Sequence, residues 1–193
     1  MSKVTTSSKI AAAARRLLER EGAAAITMRR VAEAIGITPM AIYRHYPNRA
    51  ALLNALADSG FAALAEALAE KSFTGTPDER LLDMMDTYME FSIGNPRLFE
   101  LMFLDKRPGA RRFPEDFIAG HSPTANLVAD VIAEGMKSGH FGKDDLWEIT
   151  FNLGALAHGL TQLYLGERID ATPARFRALY RRAFRRFFHG IHG

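Results

Sequence analysis

The side chains with the clearest chemistry lie in residues 27–46, TMRRVAEAIGITPMAIYRHY. Arginine donates in pairs to phosphate or to guanine edges. Hydroxyl and imidazole groups donate to phosphate oxygens or base edges. Here such groups flank two short helical patterns joined at Gly36, the residue that most readily takes the positive φ of a tight turn. Val31, Ile35, Ile37 and Ile42 point to one side, and Ala32 is small enough to let two helices approach. Pro39, Met40, Tyr43 and Arg44 then fall on the other side. The implied chemistry is recognition of a DNA groove by a helix-turn-helix, not bond making. Tyr43 and Arg44 are expected to serve DNA binding without supporting the fold. Thr27, His45 and Arg49 are expected at phosphates, with Arg29, Thr38, Pro39 and Met40 in the same interface. A plain helical hairpin is the competing reading. An outward face of Tyr, Arg, His and Met, on a helix of only about two turns, counts against it.

Other reactive residues are scattered. The chain has no cysteine, which removes disulfides, thiolate zinc sites and cysteine nucleophiles. His121, His140 and His158 are too far apart to share one helix face. There is no HExxH, no ExxH pair and no glycine-rich phosphate loop. Glu100, Asp116, Asp130 and Glu134 form no spacing that demands catalysis. No catalytic residue, metal or cofactor is expected, and a small helical enzyme is the runner-up class.

Charge separates a further alternative, a non-specific architectural DNA-binding protein. Residues 1–50 hold nine Lys/Arg against three Asp/Glu, residues 51–150 nine against seventeen, and residues 151–193 seven against two. An architectural protein would spread its basic residues, whereas here a basic N-terminal quarter precedes an acidic middle.

The elements that position these residues are all helical. Apolar residues recur at helical period, and alternating β-branched runs are missing. Caps and breakers divide the chain into about nine helices, giving an all-α fold. Their expected spans are residues 7–21, 27–35, 38–46, 48–71, 77–93, 95–104, 122–138, 143–165 and 172–189. The expected domains are 1–54, a helix-turn-helix DNA-binding domain, and 55–193, a ligand-binding and dimerisation domain. No run reaches the ~18 apolar residues of a bilayer span, and MSKVTTSSKI lacks the apolar core of a secretory signal. The expectation is a soluble, cytoplasmic protein without a membrane partner.

Residues 7–53 resemble the N-terminal domain of the tetracycline-repressor (TetR) family of transcriptional regulators. The resemblance is carried by AAARRLLEREG and ITMRRVAEAIGITPMAIYRHYPNRAALL. Thr27, Val31-Ala32, Gly36-Ile37, Tyr43 and Tyr46-Pro47-Asn48 match the family pattern. Arg49 stands where lysine is usual, and Ala50 where glutamate is frequent. FSIGNPRLFELMF and ALAHGLTQLYLGERI are similar to a ligand-domain subgroup with a Trp-x-x-x-His-Gly signature. His158-Gly159 is kept, and Gly154 occupies the tryptophan position. The resemblance implies a dimeric regulator, most simply a repressor. Its two recognition helices must reach successive major grooves, ~34–36 Å apart, and a ligand favouring another spacing shifts the population off DNA.

The residues beyond 55 fit that role. In the last helix Phe176, Tyr180, Phe184, Phe187 and Phe188 form an apolar face. The preceding helix is apolar over more than half its circumference, with Gly154 and Gly159 permitting close approach. These two helices are expected to form a homodimer. Met84, Tyr88, Phe91, Met102, Phe103, Phe117 and Phe151 are expected to line a pocket for a small apolar effector, because Met and aromatics suit a deformable site. His121, Asn152 and His158 are the expected polar anchors.

Overall fold

The computed structural model describes residues 5–192. Residues 1–4 and 193 lie outside it, and with them the outer ends of the two expected domains and part of the segment read as lacking a signal. The helices are α1 Thr6–Glu21, α2 Met28–Ile35, α3 Pro39–Tyr43, α4 Arg49–Ala69, α5 Pro77–Gly94, α6 Pro96–Phe99, α7 Glu115–Ile118, α8 Pro123–Ser138, α9 Leu146–Leu165 and α10 Pro173–Ile191. A 3₁₀ turn at Ala23–Ala25 precedes α2, and a π-helical turn at Glu100–Leu104 continues α6. The described residues contain no strand beyond one isolated bridge between Phe141 and His192. The all-α architecture is as expected. The expected spans leave residues 105–121 without a helix, and the short α7 lies within them.

The chain forms two compact units. One holds the described residues up to Phe61 together with Asn95–Ala110, and the other holds Ala62–Gly94 and the residues from Arg111 onward. The expected division after residue 54 falls inside α4, which runs unbroken to Ala69. Of the described helices, α4 alone is long and apolar enough to cross a membrane by length and composition. Its Leu52, Leu53, Leu56, Ala57, Leu64 and Leu68 are buried in the protein.

In the first unit α1 exists because Ile10, Ala13, Ala14, Leu17 and Leu18 recur at helical spacing, and all five are buried. The Thr5 hydroxyl accepts from the Ser8 amide at its start, and Gly22 ends it at φ 83°. It packs on α2 and α6, and α2 packs on α3.

In the second unit α5 lies against α8, α9 and α10. Its Leu81, Leu82, Met84, Met85 and Met89 are buried. Opposite them α10 contributes a ladder of rings, with Phe176 to Tyr180 centroids 5.7 Å apart, Tyr180 to Phe184 4.8 Å and Phe184 to Phe188 6.2 Å. All four rings are at most 2% exposed. The aromatic face expected to meet a partner subunit is therefore filled by its own chain. An i,i+4 stripe of rings is satisfied equally by either neighbour, so the sequence pattern alone did not distinguish them.

The end of α8 shows how closely this unit is fitted. Gly139 closes the helix in the left-handed region at φ 77°, and the chain turns back so that Phe141 lies over Gly135. A Cβ at Gly135 would sit 2.3 Å from the Phe141 ring. Gly135→Ala gains about 1 kcal/mol of helix propensity but forces a fully buried ring to move, at a cost of about 1–3 kcal/mol. The variant should therefore be less stable than the parent in urea unfolding. Equal or greater stability would show that the Phe141 ring gives way freely.

Candidate nucleic-acid interface

The turn between α2 and α3 is built by backbone hydrogen bonds. Gly36 adopts φ 68°, ψ 34°; its amide donates to the Glu33 carbonyl at 3.3 Å, and the Ile37 amide donates to the Ala32 carbonyl at 3.1 Å. This pair of bonds is the Schellman motif, which satisfies the last carbonyls of α2 and reverses the chain. Both helices are capped at their starts. Thr27 Oγ1 accepts from the Arg30 amide at 3.2 Å, and Thr38 Oγ1 accepts from the Ala41 amide at 3.3 Å, with Pro39 at the first position of α3. Met28, Val31, Ala32 and Ile42 are buried beneath.

With Ile42 turned inward, the outer surface of α3 follows. Met40 is 69% and Tyr43 46% exposed, and Thr38, Pro39, Arg44 and His45 are exposed beside them. Two large side chains are thus held in water on a helix that buries one residue. Arg29 is exposed and pairs with Glu33 at 2.8 Å, a surface pair weak enough to exchange for a phosphate.

Arg49 differs from the expectation. Its Nε donates to the Ile26 carbonyl at 2.7 Å and its Nη2 to the Ala23 carbonyl at 2.6 Å. The guanidinium thus ties the start of α4 to the 3₁₀ turn before α2, sharing the Ala23 carbonyl with the Ile26 amide. Arg107 plays a comparable part that the sequence did not suggest. It donates to the carbonyls of Leu101 and Met102 and to Asn54 Oδ1, anchoring the π-helical turn on α4. A fork-shaped donor facing backbone carbonyls has no signature in residue spacing.

The expected effector residues do not form one cluster. Met102 and Phe103 belong to the first unit. Met102 packs beside Gly60, and the Phe103 ring is 5.1 Å from Phe61. A cleft of about 720 Å³ in this unit is lined by charged groups, including Glu21, Arg49, Arg97 and Glu100, and does not suit an apolar molecule. In the second unit Met84 is 3% exposed and Phe91 is half-buried. Phe117 and Phe151 meet around Phe113, with Phe113 and Phe151 stacked at 4.3 Å. His121 and Asn152 are exposed, and His121 Nδ1 lies 3.2 Å from Asp116.

Tyr88 and His158 do come together, with Oη 3.3 Å from Nδ1. Burial pushes the Tyr88 phenol up and the His158 imidazole down. Burial likewise pushes the Tyr180 phenol up, the neighbouring Tyr88 adding to the rise and the Thr161 hydroxyl opposing it. The Tyr180 hydroxyl and Thr161 Oγ1 are buried without a partner in good hydrogen-bond geometry. Thr161 and Tyr180 were missed because a polar atom on an apolar stripe reads as packing.

Comparison with known proteins adds the family. Residues 10–56 match the model of bacterial regulatory proteins of the tetR family, and residues 81–187 match the tetracyclin repressor-like C-terminal domain. The class A tetracycline repressor of transposon 1721 from Escherichia coli is 36% identical over 95 residues, 49% of this chain and 38% of the repressor. A Rhodococcus sp. RHA1 protein of unknown function has a solved structure that matches with TM-score 0.83 and 26% identity, over 98% of this chain and 96% of that one. The structure of the Bacillus subtilis transcriptional regulator FadR in complex with stearoyl-CoA shares the fold, with TM-score 0.70 at 16% identity over 95% and 98% of the two chains.

The geometry of Arg49 makes a prediction about its role. Arg49→Ala should lower stability by about 1–2 kcal/mol, as expected for two charge-assisted bonds at a partly exposed site. The salt dependence of DNA binding should be unchanged. A fall of about one in the log–log salt slope, with stability intact, would place Arg49 on a phosphate instead.

Proposed function

This chain belongs to the tetR family of bacterial regulatory proteins, and from that premise we propose that it is a homodimeric, ligand-responsive transcriptional repressor of the cytoplasm. It reads operator DNA through α3 and leaves it when a small, largely apolar effector binds the second unit. The observation that carries the reading is the outer face of α3. Met40 and Tyr43 are exposed on a five-residue helix whose inner side is fixed by Ile42 and the Gly36 turn, and Arg44 and His45 are exposed in the turn that follows it. A helix this short has no packing use for such an outer face, and a major groove accepts it. Thr27, Arg29 and Thr38 lie at the adjoining helix starts, where amides and hydroxyls suit phosphates. No catalytic group is assigned.

Two copies are needed to fill two half-sites. The surface that fits is on α9 rather than on the aromatic stripe of α10. Phe151, Ala155, Gly159 and Leu163 recur every four residues, with Phe151 41% and Leu163 48% exposed. A Cβ at Gly154 or Gly159 would meet nothing within 4 Å in the subunit. Glycines with empty space beside them on an apolar helix face allow another helix to come close. For the effector, the polar group is met by Tyr88, His158, Thr161 and Tyr180, and the apolar body by the surrounding Met and Phe side chains. The Bacillus regulator holds stearoyl-CoA, whose acyl chain is an apolar body of that kind. Such a ligand lowers operator affinity only by as much as it distinguishes the two states.

The test is selection of bound sequences from a random DNA pool, followed by titration. The selected operator should bind at least ~10³-fold tighter than random DNA. Tyr43→Ala should lose ~10–100-fold of that affinity and melt near the parent temperature. Gly159→Leu should keep the helical content of the subunit, elute as a monomer and lose the operator. A specificity ratio near one would overturn the regulator reading, and a dimeric Gly159→Leu would exclude this face of α9.

A further inference from the structure

The start of α5, the end of α8 and the end of α10 converge on three side chains that neither the fold nor DNA reading requires. We propose that Asp78, His140 and His192 form a binding site for one divalent transition-metal ion of the zinc class. The three donor atoms lie within 4.8 Å of one another. His140 Nε2 is 2.8 Å from Asp78 Oδ1, and His192 Nε2 is 4.0 Å from Asp78 Oδ2. Each imidazole therefore faces its own oxygen of one carboxylate, and both present the same nitrogen to the space between.

Ring placement agrees with a shared ion. The His140 and His192 centroids are 5.1 Å apart with planes at 78°. Two imidazoles bound to one ion at about 2.0–2.1 Å and a tetrahedral angle place their ring centres about 5 Å apart. The His140–Asp78 hydrogen bond is shorter than a ligand–ligand edge of about 3.3 Å for those bond lengths, so a small side-chain rotation is needed to admit the ion in place of the proton.

The donor positions are also held. Asp78 Oδ1 accepts from the Thr76 hydroxyl at 2.8 Å. The His192 ring stacks on buried Phe141 with planes at 16°. The Gly142 amide donates to the Ile191 carbonyl at 2.9 Å, which fixes the two backbones that carry the histidines. The Asp78, His140 and His192 side chains are 30%, 28% and 39% exposed, so an ion and its remaining water ligands can enter without unfolding. Two nitrogens and one carboxylate favour zinc, cobalt, nickel or copper over magnesium or calcium. With no cysteine in the chain, thiolates do not compete.

The spacing carries no sign of such a site, because the ligands are 62 and 52 residues apart, not one helix turn. Bound metal would cross-link three helix ends and so hold the end of α10 against α5 and α8. The site stands independently of the DNA reading.

The experiment uses the full chain without an affinity tag, stripped with chelator and dialysed against zinc alone. One zinc per chain should bind and raise the melting temperature, and chelator should reverse the shift. His140→Gln, His192→Gln and Asp78→Asn should each weaken binding by roughly tenfold or more. His121→Gln, which breaks the other imidazole–carboxylate pair of this unit, should change nothing. Cobalt in place of zinc gives an independent readout on the parent protein. Visible bands of a four- or five-coordinate centre should appear, and His192→Gln should alter them. Zinc binding that persists in the His140→Gln, His192→Gln double variant would overturn the proposal. So would a parent protein that binds no more zinc than the double variant, or a cobalt spectrum unchanged from the ion in water.

Discussion

A five-residue helix does not hold its own shape, since nucleation alone costs more than one turn of hydrogen bonds returns. Everything α3 presents therefore depends on what anchors it. Three constraints meet there: the left-handed Gly36, the two bonds that close α2, and the burial of Ile42. The turn sets the direction of α3, and Ile42 sets its rotation. Thr38 and Pro39 begin the helix at a defined residue. Together they decide that Tyr43 and Arg44 face outward. The unit beneath serves the same end. Arg49 holds the 3₁₀ turn before α2 to the start of α4, and the Tyr46 hydroxyl meets the Ser7 hydroxyl of α1 at 3.2 Å. The exposed face is thus the remainder after every inward group has been assigned.

That dependence explains which features could be read from sequence. The Gly36 turn, the Thr27 and Thr38 caps and the inward Ile42 are local, set by residue type within a few positions, and the structure has them where the spacing puts them. So are the starts of α6, α8 and α10, each a cap residue followed by proline. What escaped is non-local. The ring stripe of α10 is identical in pattern whether it faces its own α5 or another subunit, and only the packing shows that it faces α5. Met102 and Phe103 looked like pocket residues from composition, yet the segment that carries them belongs to the first unit. Arg49 carried the charge expected of a phosphate ligand, but its reach to the Ile26 carbonyl depends on where the 3₁₀ turn lies. The pairing of Tyr88 with His158, across 70 residues, has no local sign at all.

The charge pattern takes on a different meaning at this level. Read along the chain, the acidic middle and the basic last segment look like separate surfaces, one repelling DNA and one attracting it. In the second unit they are partners. Arg181 of α10 bonds to Asp83, at 3.3 Å, and to Asp86, while Arg177 bonds to Glu90, all three carboxylates on α5. Burial works against the Arg181 charge, but the Asp86 and Asp83 carboxylates more than offset it and raise its pKa. Lys71 adds a second cation to Glu90, at 3.6 Å. These pairs flank the α10 ring ladder where it packs on α5, so they contribute orientation to an interface whose stability comes from apolar burial. Part of the basic charge of residues 151–193 is therefore spent inside the subunit. The surplus of residues 1–50 is the larger one for its length, and it lies in the segment that carries α2 and α3. A polyanion is drawn to net charge at a distance and to side-chain geometry at contact. On the proposed reading, in which DNA is the polyanion, both lead to the same short helix.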